Sequence, residues 1–195
     1  MSQDFVTIVS GLPRSGTSLM MQMVAAGGMP VLTDGVRQAD EDNPRGYFEF
    51  EPVKRTKADA GWVEDAEGKA VKMVYLLLKD LPDTHAYRVI LMQRDLTEVV
   101  ASQKAMLARL GRTGADVGDD RMAAIFEEQL HSTGLWLRAQ TNFAVLEVRH
   151  RDCIETPAEV AVSVNVFLGG GLDEAAMASV VDPLLYRRSA RKRST

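Results

Sequence analysis

The chain has 195 residues, 46% of them hydrophobic and 26% charged, with a formal net charge of −4; these are the proportions of a globular protein. No apolar run nears the roughly 18–20 residues a membrane span requires, and the one cysteine, Cys153, excludes an internal disulfide and a cysteine-rich metal site. Arg187, Arg188, Arg191, Lys192 and Arg193 all lie in the last nine residues, so the body of the chain is acidic. An acidic body argues against broad nucleic-acid binding, and any anionic ligand must be caught by a local cluster of cations. Met1-Ser-Gln-Asp4 carries no basic region of a secretory signal, so the expected compartment is the cytoplasm.

In chain order, the β-branched run Val6–Val9 reads as a buried strand. It breaks into Ser10-Gly-Leu-Pro-Arg-Ser-Gly16 and resumes as a helix over Thr17–Ala26, ended by Gly27-Gly28. Strand, glycine-rich turn and helix are the parts of a phosphate cradle: glycines let the backbone curl until its N–H groups converge, and the helix N-terminus adds unpaired donors and partial positive charge. Gly11 and Gly16 have the spacing of G-x-x-x-x-G-K-[ST], but Thr17 stands where a nucleotide-binding P-loop has its lysine. The cation comes earlier, as Arg14. The loop is therefore expected to hold an anion other than the β/γ-phosphates of ATP.

Pro30–Leu32 reads as a short strand. Thr33–Gly46 reads as a loop, long enough to suggest a functional role. Tyr47-Phe-Glu-Phe-Glu51 alternates like an edge strand, and Pro52 suits the start of a helix over Val53–Ala60. Lys72–Leu78 and Arg88–Gln93 read as buried strands. The second runs into a helix to about Leu110, with Asp95 and Glu98 spaced as a capping box. Beyond the Gly111–Gly118 loop, Asp119–Gln140 reads as a long amphipathic helix bent near Gly134, and Phe143–Val148 as a further strand. Thr156, Pro157 and Glu159 open a helix that ends at Gly169–Gly171. Asp173–Val181 is a last short helix. Residues 1–186 are expected to form one α/β domain, and 187–195 a disordered basic tail. Alternation of strands and helices predicts a parallel sheet with helices on both faces, and ligands beyond the carboxyl ends of the strands. Gly11–Ser18 and Arg94 both lie there.

Arg94 offers a forked cation suited to phosphate. Ser102, about two helical turns into the following helix, offers a hydroxyl. Gly11-Leu-Pro-Arg-Ser-Gly-Thr-Ser18 resembles the 5′-phosphosulfate loop of sulfotransferases that use 3′-phosphoadenosine 5′-phosphosulfate (PAPS). Arg94-Asp-Leu-Thr-Glu-Val-Val-Ala-Ser102 resembles their 3′-phosphate grip. Val145–Arg149, Thr156-Pro157, Phe167-Leu-Gly169 and Val181–Tyr186 are similar to segments of bacterial members. The resemblance implies a three-layer α/β sandwich of P-loop-like topology with a mainly parallel sheet. It also implies PAPS as donor, adenosine 3′,5′-bisphosphate (PAP) as product, no metal, and a hydroxyl or amine acceptor. Pro13, Arg14, Ser15, Gly16, Thr17, Ser18, Arg94 and Ser102 would hold the donor, with Arg14 in place of the loop lysine of many relatives.

Two features depart from the animal cytosolic enzymes: there is no C-terminal glycine-rich basic loop, and His85, His131 and His150 lie far in sequence from the acceptor region. Bland surface or core roles are expected for all three. For the tail, the alternative to disorder is that Arg187 and Arg188 fold back onto the 3′-phosphate. Lys72 either faces the transferred group or is a solvated residue at a strand start. An acceptor hydroxyl needs a base, and the acids after the first helix are Asp34, Asp40, Glu41, Asp42, Glu49 and Glu51. Glu49 leads because Tyr47-Phe48 would hold it rigid and dry. Glu51 follows, on the same face by alternation. The Thr33–Gly46 and Gly111–Gly118 loops are expected to set the acceptor. The competing readings are a P-loop-like nucleotide kinase and a non-catalytic PAP-binding protein.

Overall fold

The computed structural model describes residues 4–35, 46–112 and 117–182. Asp40, Glu41, Asp42 and the basic tail lie outside the described residues. Strand β1 (Val6–Gly11) is buried along its whole length, because it lies at the centre of the sheet. The strand order is β2-β3-β1-β4-β5, with β2 (Val31–Leu32), β3 (Ala70–Val74), β4 (Tyr87–Gln93) and β5 (Phe143–Arg149). Every pairing is parallel. A central parallel strand is covered on both faces, which is why Val6–Val9 reads as a continuous apolar run rather than an alternating one.

Alternation along the strands sorts two cores. On one face Val6, Ile8, Val71, Met73, Val89 and Leu91 meet Val99 of α2 (Leu96–Arg109) and Leu137 of α3 (Asp119–Ala139). On the other, Val9, Ile90, Met92 and Val148 meet Met20, Met21 and Val24 of α1 (Thr17–Ala26). They also meet Cys153 of α4 (His150–Glu155), Val160 and Val164 of α5 (Pro157–Phe167) and Met177 of α6 (Glu174–Ser179). The result is the expected α/β three-layer arrangement, with the carboxyl ends of all five strands on one rim.

Several local expectations are corrected. Lys72–Leu78 is not one strand: β3 stops at Val74, the partner of the last β1 residue Gly11. With no ladder left to join, Tyr75–Asp80 turns into a 3₁₀ helix that buries Tyr75 and Leu78. Tyr47–Glu51 is not an edge strand. Phe48 takes φ 52°, a left-handed conformation that breaks extended alternation. The segment is instead tied to the end of β2: Thr33 Oγ1 and Asp34 N both donate to Glu49 O, and Glu51 N donates to an Asp34 carboxylate oxygen. The Val53–Ala60 helix is a shorter 3₁₀ turn, Glu51–Arg55. Thr156 does not cap α5 with its side chain; its hydroxyl donates to Asp152 O and closes α4, a helix absent from the sequence reading. Asp95 does cap α2, accepting from Glu98 N, but the Glu98 carboxylate turns to Arg94 rather than completing the box.

Candidate active site

The site begins with the end of β1. Gly11 lies between Val74 of β3 and Met92 of β4, so the chain leaving it emerges at the middle of the rim. A Cβ on Gly11 would lie 2.5 Å from Ser15 Oγ and 2.7 Å from Met92 O; only glycine lets the loop fold back so tightly. Arg14 (φ 74°) and Gly16 (φ 101°) are both left-handed, and Gly16 is the N-cap of α1 without any side-chain cap. Left-handed turns at a helix start aim successive N–H groups into one concavity, the geometry of an anion nest. Ser15 is 1% exposed, and its Oγ has no hydrogen-bond partner among the described residues. Buried hydroxyls are nearly always satisfied, so an unpartnered one inside an anion nest fits a ligand oxygen.

Two cationic side chains reach the loop from opposite sides. The register pairs Lys72 with Val9, and Val9 packs on the α1 side. Lys72 therefore rises on that side, where its Nζ lies 3.4 Å from Ser18 Oγ in the first turn of α1. The same ammonium donates to Tyr47 O and sits 5.7 Å from the Tyr47 ring centroid. Ser18 Oγ also approaches Tyr47 O, at 3.5 Å. Of the two readings of Lys72, the solvated strand-start residue is thus not what is seen.

On the other side Arg14 turns toward α2, and its Nε donates to Ser102 Oγ at 2.9 Å. Gln103 Nε2, one residue on, donates to Pro13 O at 3.1 Å. Arg94, at the end of β4, donates from Nη1 to Arg14 O (3.0 Å) and from Nε to Glu98 (3.1 Å). Its side chain is only 11% exposed, and its Nη2 bonds no atom of the described residues. The residues singled out around Gly11–Ser18, Arg94 and Ser102, separated by up to 88 positions in sequence, thus form one hydrogen-bonded group.

The carboxylates stand further out. Glu49 is partly exposed, its side chain at 23%, and lies 3.7 Å from Lys54 Nζ; Glu51 is more exposed and holds the same ammonium. The hydrogen bond that Lys54 donates to Glu51 is the main cause raising the Lys54 pKa, with Glu49 adding to it. Both acids reach the same ammonium although the segment does not alternate as a strand, and Glu49 is wetter than an aromatic clamp would make it. Its segment reaches the loop through Tyr47 O.

One residue in contact with the loop was given only a bland role. His150, the first residue of α4, packs against Gly16: a Cβ on that glycine would lie 2.4 Å from His150 Cδ2. Burial, and secondarily the charge of Arg94, push its pKa down to about 4, so the ring is neutral near pH 7. The signal for it was the position of β5: a residue just past the carboxyl end of a strand paired with β4 must lie next to Arg94.

A glycine-cornered loop carrying Arg14, with Arg94 and Lys72 beside it, sits at the rim of the parallel sheet of an α/β protein. The particular fold within that class is that of the sulfotransferases. No family model and no curated protein matches the chain; the likeness is to solved structures. The sulfotransferase domain from the curacin biosynthetic pathway is 15% identical with a TM-score of 0.51, over 87% of this chain and 75% of that one. Retinol dehydratase, solved in a complex with retinol and PAP, is 15% identical with a TM-score of 0.52, over 94% of this chain and 65% of that one. Among the described residues no helix is long and apolar enough to cross a membrane, and no cluster of potential metal ligands occurs.

Proposed function

We propose that the chain is a sulfotransferase that moves a sulfuryl group from PAPS to a hydroxyl or amine acceptor. The observation that carries this reading is the joining of Arg14 to Ser102 and of Arg94 to the Arg14 carbonyl, which brings a 5′-anion loop and a second anion grip into one crevice. Retinol dehydratase, of like fold, was solved with PAP.

The bound donor supplies both the sulfuryl group and its own leaving phosphate. The amides of Ser15–Ser18 and the Ser15 hydroxyl hold the 5′ end, and Arg14 neutralises it. Arg94, through its unused Nη2, and Ser102 hold the 3′-phosphate. Lys72 stabilises charge that develops on oxygens during an in-line displacement, where positioning and electrostatics do most of the work. Glu49 takes the acceptor's proton, and Glu51 shares Lys54 with it.

Isothermal titration with PAP against ATP–Mg²⁺ separates this reading from a nucleotide kinase. Transfer of labelled sulfate from PAPS to a panel of hydroxyl and amine acceptors separates it from a non-catalytic binder. Tighter binding of ATP–Mg²⁺ than of PAP would overturn it.

Two variants test the donor grip. Arg94→Ala is expected to cut the preference for PAP over adenosine 5′-monophosphate by about ten- to a hundredfold, the worth of one charge-assisted bond. A variant that keeps the parental preference places the 3′-phosphate elsewhere. Arg14→Ala is expected to weaken PAP binding and to slow turnover, since it removes the cation of the loop itself and strands the Ser102 hydroxyl. Unchanged kinetics at saturating donor would take Arg14 out of the mechanism.

A further inference from the structure

His150 is not among the residues assigned above to the donor or the acceptor. Strand β5 brings it to the site by register: Arg149 is the partner of Gln93, so the next residues, His150 and Arg94, leave the rim side by side. Val148, two residues before His150, packs on the α1 side of the sheet. Alternation carries the imidazole to that side as well, and its ring edge abuts Gly16. Arg94 is close enough for its charge to act on the ring, while Arg94 itself donates to Arg14 O. The imidazole thus touches the loop backbone, and the guanidinium leaving the neighbouring strand end is bonded to the same loop.

The choice of side chain at 150 is physically narrow. A lysine or arginine would repel Arg94. An aliphatic residue would fill the gap but present no polar edge toward the largely buried Arg94 guanidinium, whose donors need partners. A residue without bulk would leave Gly16, the uncapped first corner of α1, unsupported on that side, free to relax from its left-handed conformation. A neutral imidazole meets all three conditions.

We propose that His150 is a positioning residue of the anion site, wedged between the Gly16 backbone and Arg94 so that the loop amides and the guanidinium face the crevice at a fixed separation. This rests on the donor reading above, in which the loop takes the 5′ end and Arg94 the 3′-phosphate. A fixed separation between two anion grips is a specificity device: it favours a ligand carrying both phosphates over one carrying either alone.

The test is calorimetric titration of the full chain with PAP and with adenosine 5′-monophosphate, giving the preference for the 3′-phosphate as a ratio. His150→Ala, with Arg94 intact, is expected to lower that ratio about tenfold. The His150→Ala, Arg94→Ala double variant is expected to do no worse than Arg94→Ala alone, because groups acting as one unit are non-additive. His150→Gln, neutral and polar, is expected to recover most of the ratio. His150→Leu, apolar and of similar bulk, is expected to stay folded without recovering it, and it carries the test if His150→Ala does not fold.

A purely structural role predicts the opposite pattern, a lower melting temperature with the ratio unchanged. If Arg94→Ala loses the preference while His150→Ala and His150→Leu keep it, the proposal is overturned and the donor reading stands. If the parent protein shows no preference for the 3′-phosphate, the donor reading fails and takes the proposal with it.

Discussion

Lys72→Met is expected to lower turnover by about 10²–10³-fold, the usual loss when a preorganised donor to developing charge is removed, while PAP affinity falls much less. Methionine keeps most of the length and removes the charge. The expectation rests on the place of the ammonium, 3.4 Å from Ser18 Oγ in the first turn of α1 and bonded to Tyr47 O. From there it bridges the anion loop to the segment that carries Glu49. A cation in that place acts on charge leaving the transferred group more than on a ground-state phosphate already held by loop amides, so the loss belongs to turnover rather than to binding. Single-turnover kinetics at saturating donor, beside calorimetry with PAP, separate the two. Lys72→Arg keeps the charge and is expected to recover part of the rate. Parental turnover in Lys72→Met would make the residue a strut for Tyr47 and nothing more. A large loss of PAP affinity with turnover preserved would move it to the donor grip.

Glu49→Gln is expected to cut turnover by about 10²-fold or more and to leave PAP affinity within about twofold, since a positioned base is typically worth 10²–10⁴. In-line displacement requires the base on the side of the sulfur opposite the leaving phosphate. On the proposed reading the leaving phosphate is held at the carboxyl end of β1, so the base must come from a segment arching over the rim. Tyr47–Glu51 is such a segment: Tyr47 O touches both Lys72 and Ser18, and Thr33 and Asp34 brace the Glu49 carbonyl from the end of β2. Lys54 lies 3.7 Å from the Glu49 carboxylate and pairs with it.

Glu51→Gln is the internal control. Glu51 is half exposed, so the substitution is expected to do less, although it frees Lys54 to pair with Glu49 alone. Turnover at saturating acceptor, with chemistry shown to be rate-limiting, decides between them. Parental turnover in Glu49→Gln would turn attention to Glu51 and Asp34.

The Gly11–Ser18 loop and the α/β fold were legible in sequence for the same reason: both depend on local pattern. A β-branched run between turn signals, glycines at fixed spacing and a helix start are properties of neighbouring residues, and β1, α1, β4 and α2 follow from them. That Arg94 and Ser102 lie within reach of one another was legible from their interval, because one helix sets that distance; both meet Arg14.

What the tertiary structure decided is how residues far apart in sequence meet, and each case traces to the sheet. Parallel pairing of β3 with β1 at Val9–Lys72 put the lysine on the α1 side and gave its ammonium Ser18 as a neighbour. Spacing along the chain carries no register, so Lys72 read equally well as solvated. The end of β1 at Gly11 left nothing beyond Val74 to pair with, which turned an apolar run into a strand followed by a 3₁₀ helix. Contact with the end of β2 replaced the expected strand at Tyr47–Glu51 with a braced loop, in which Glu49 is partly exposed and ion-paired with Lys54. His150 shows the limit most clearly. Nothing in its neighbours along the chain marks it, and only the pairing of β5 with β4 sets it against Gly16. Local chemistry determined which anion-binding parts this protein carries; sheet register, a long-range property, decided which side chains complete them.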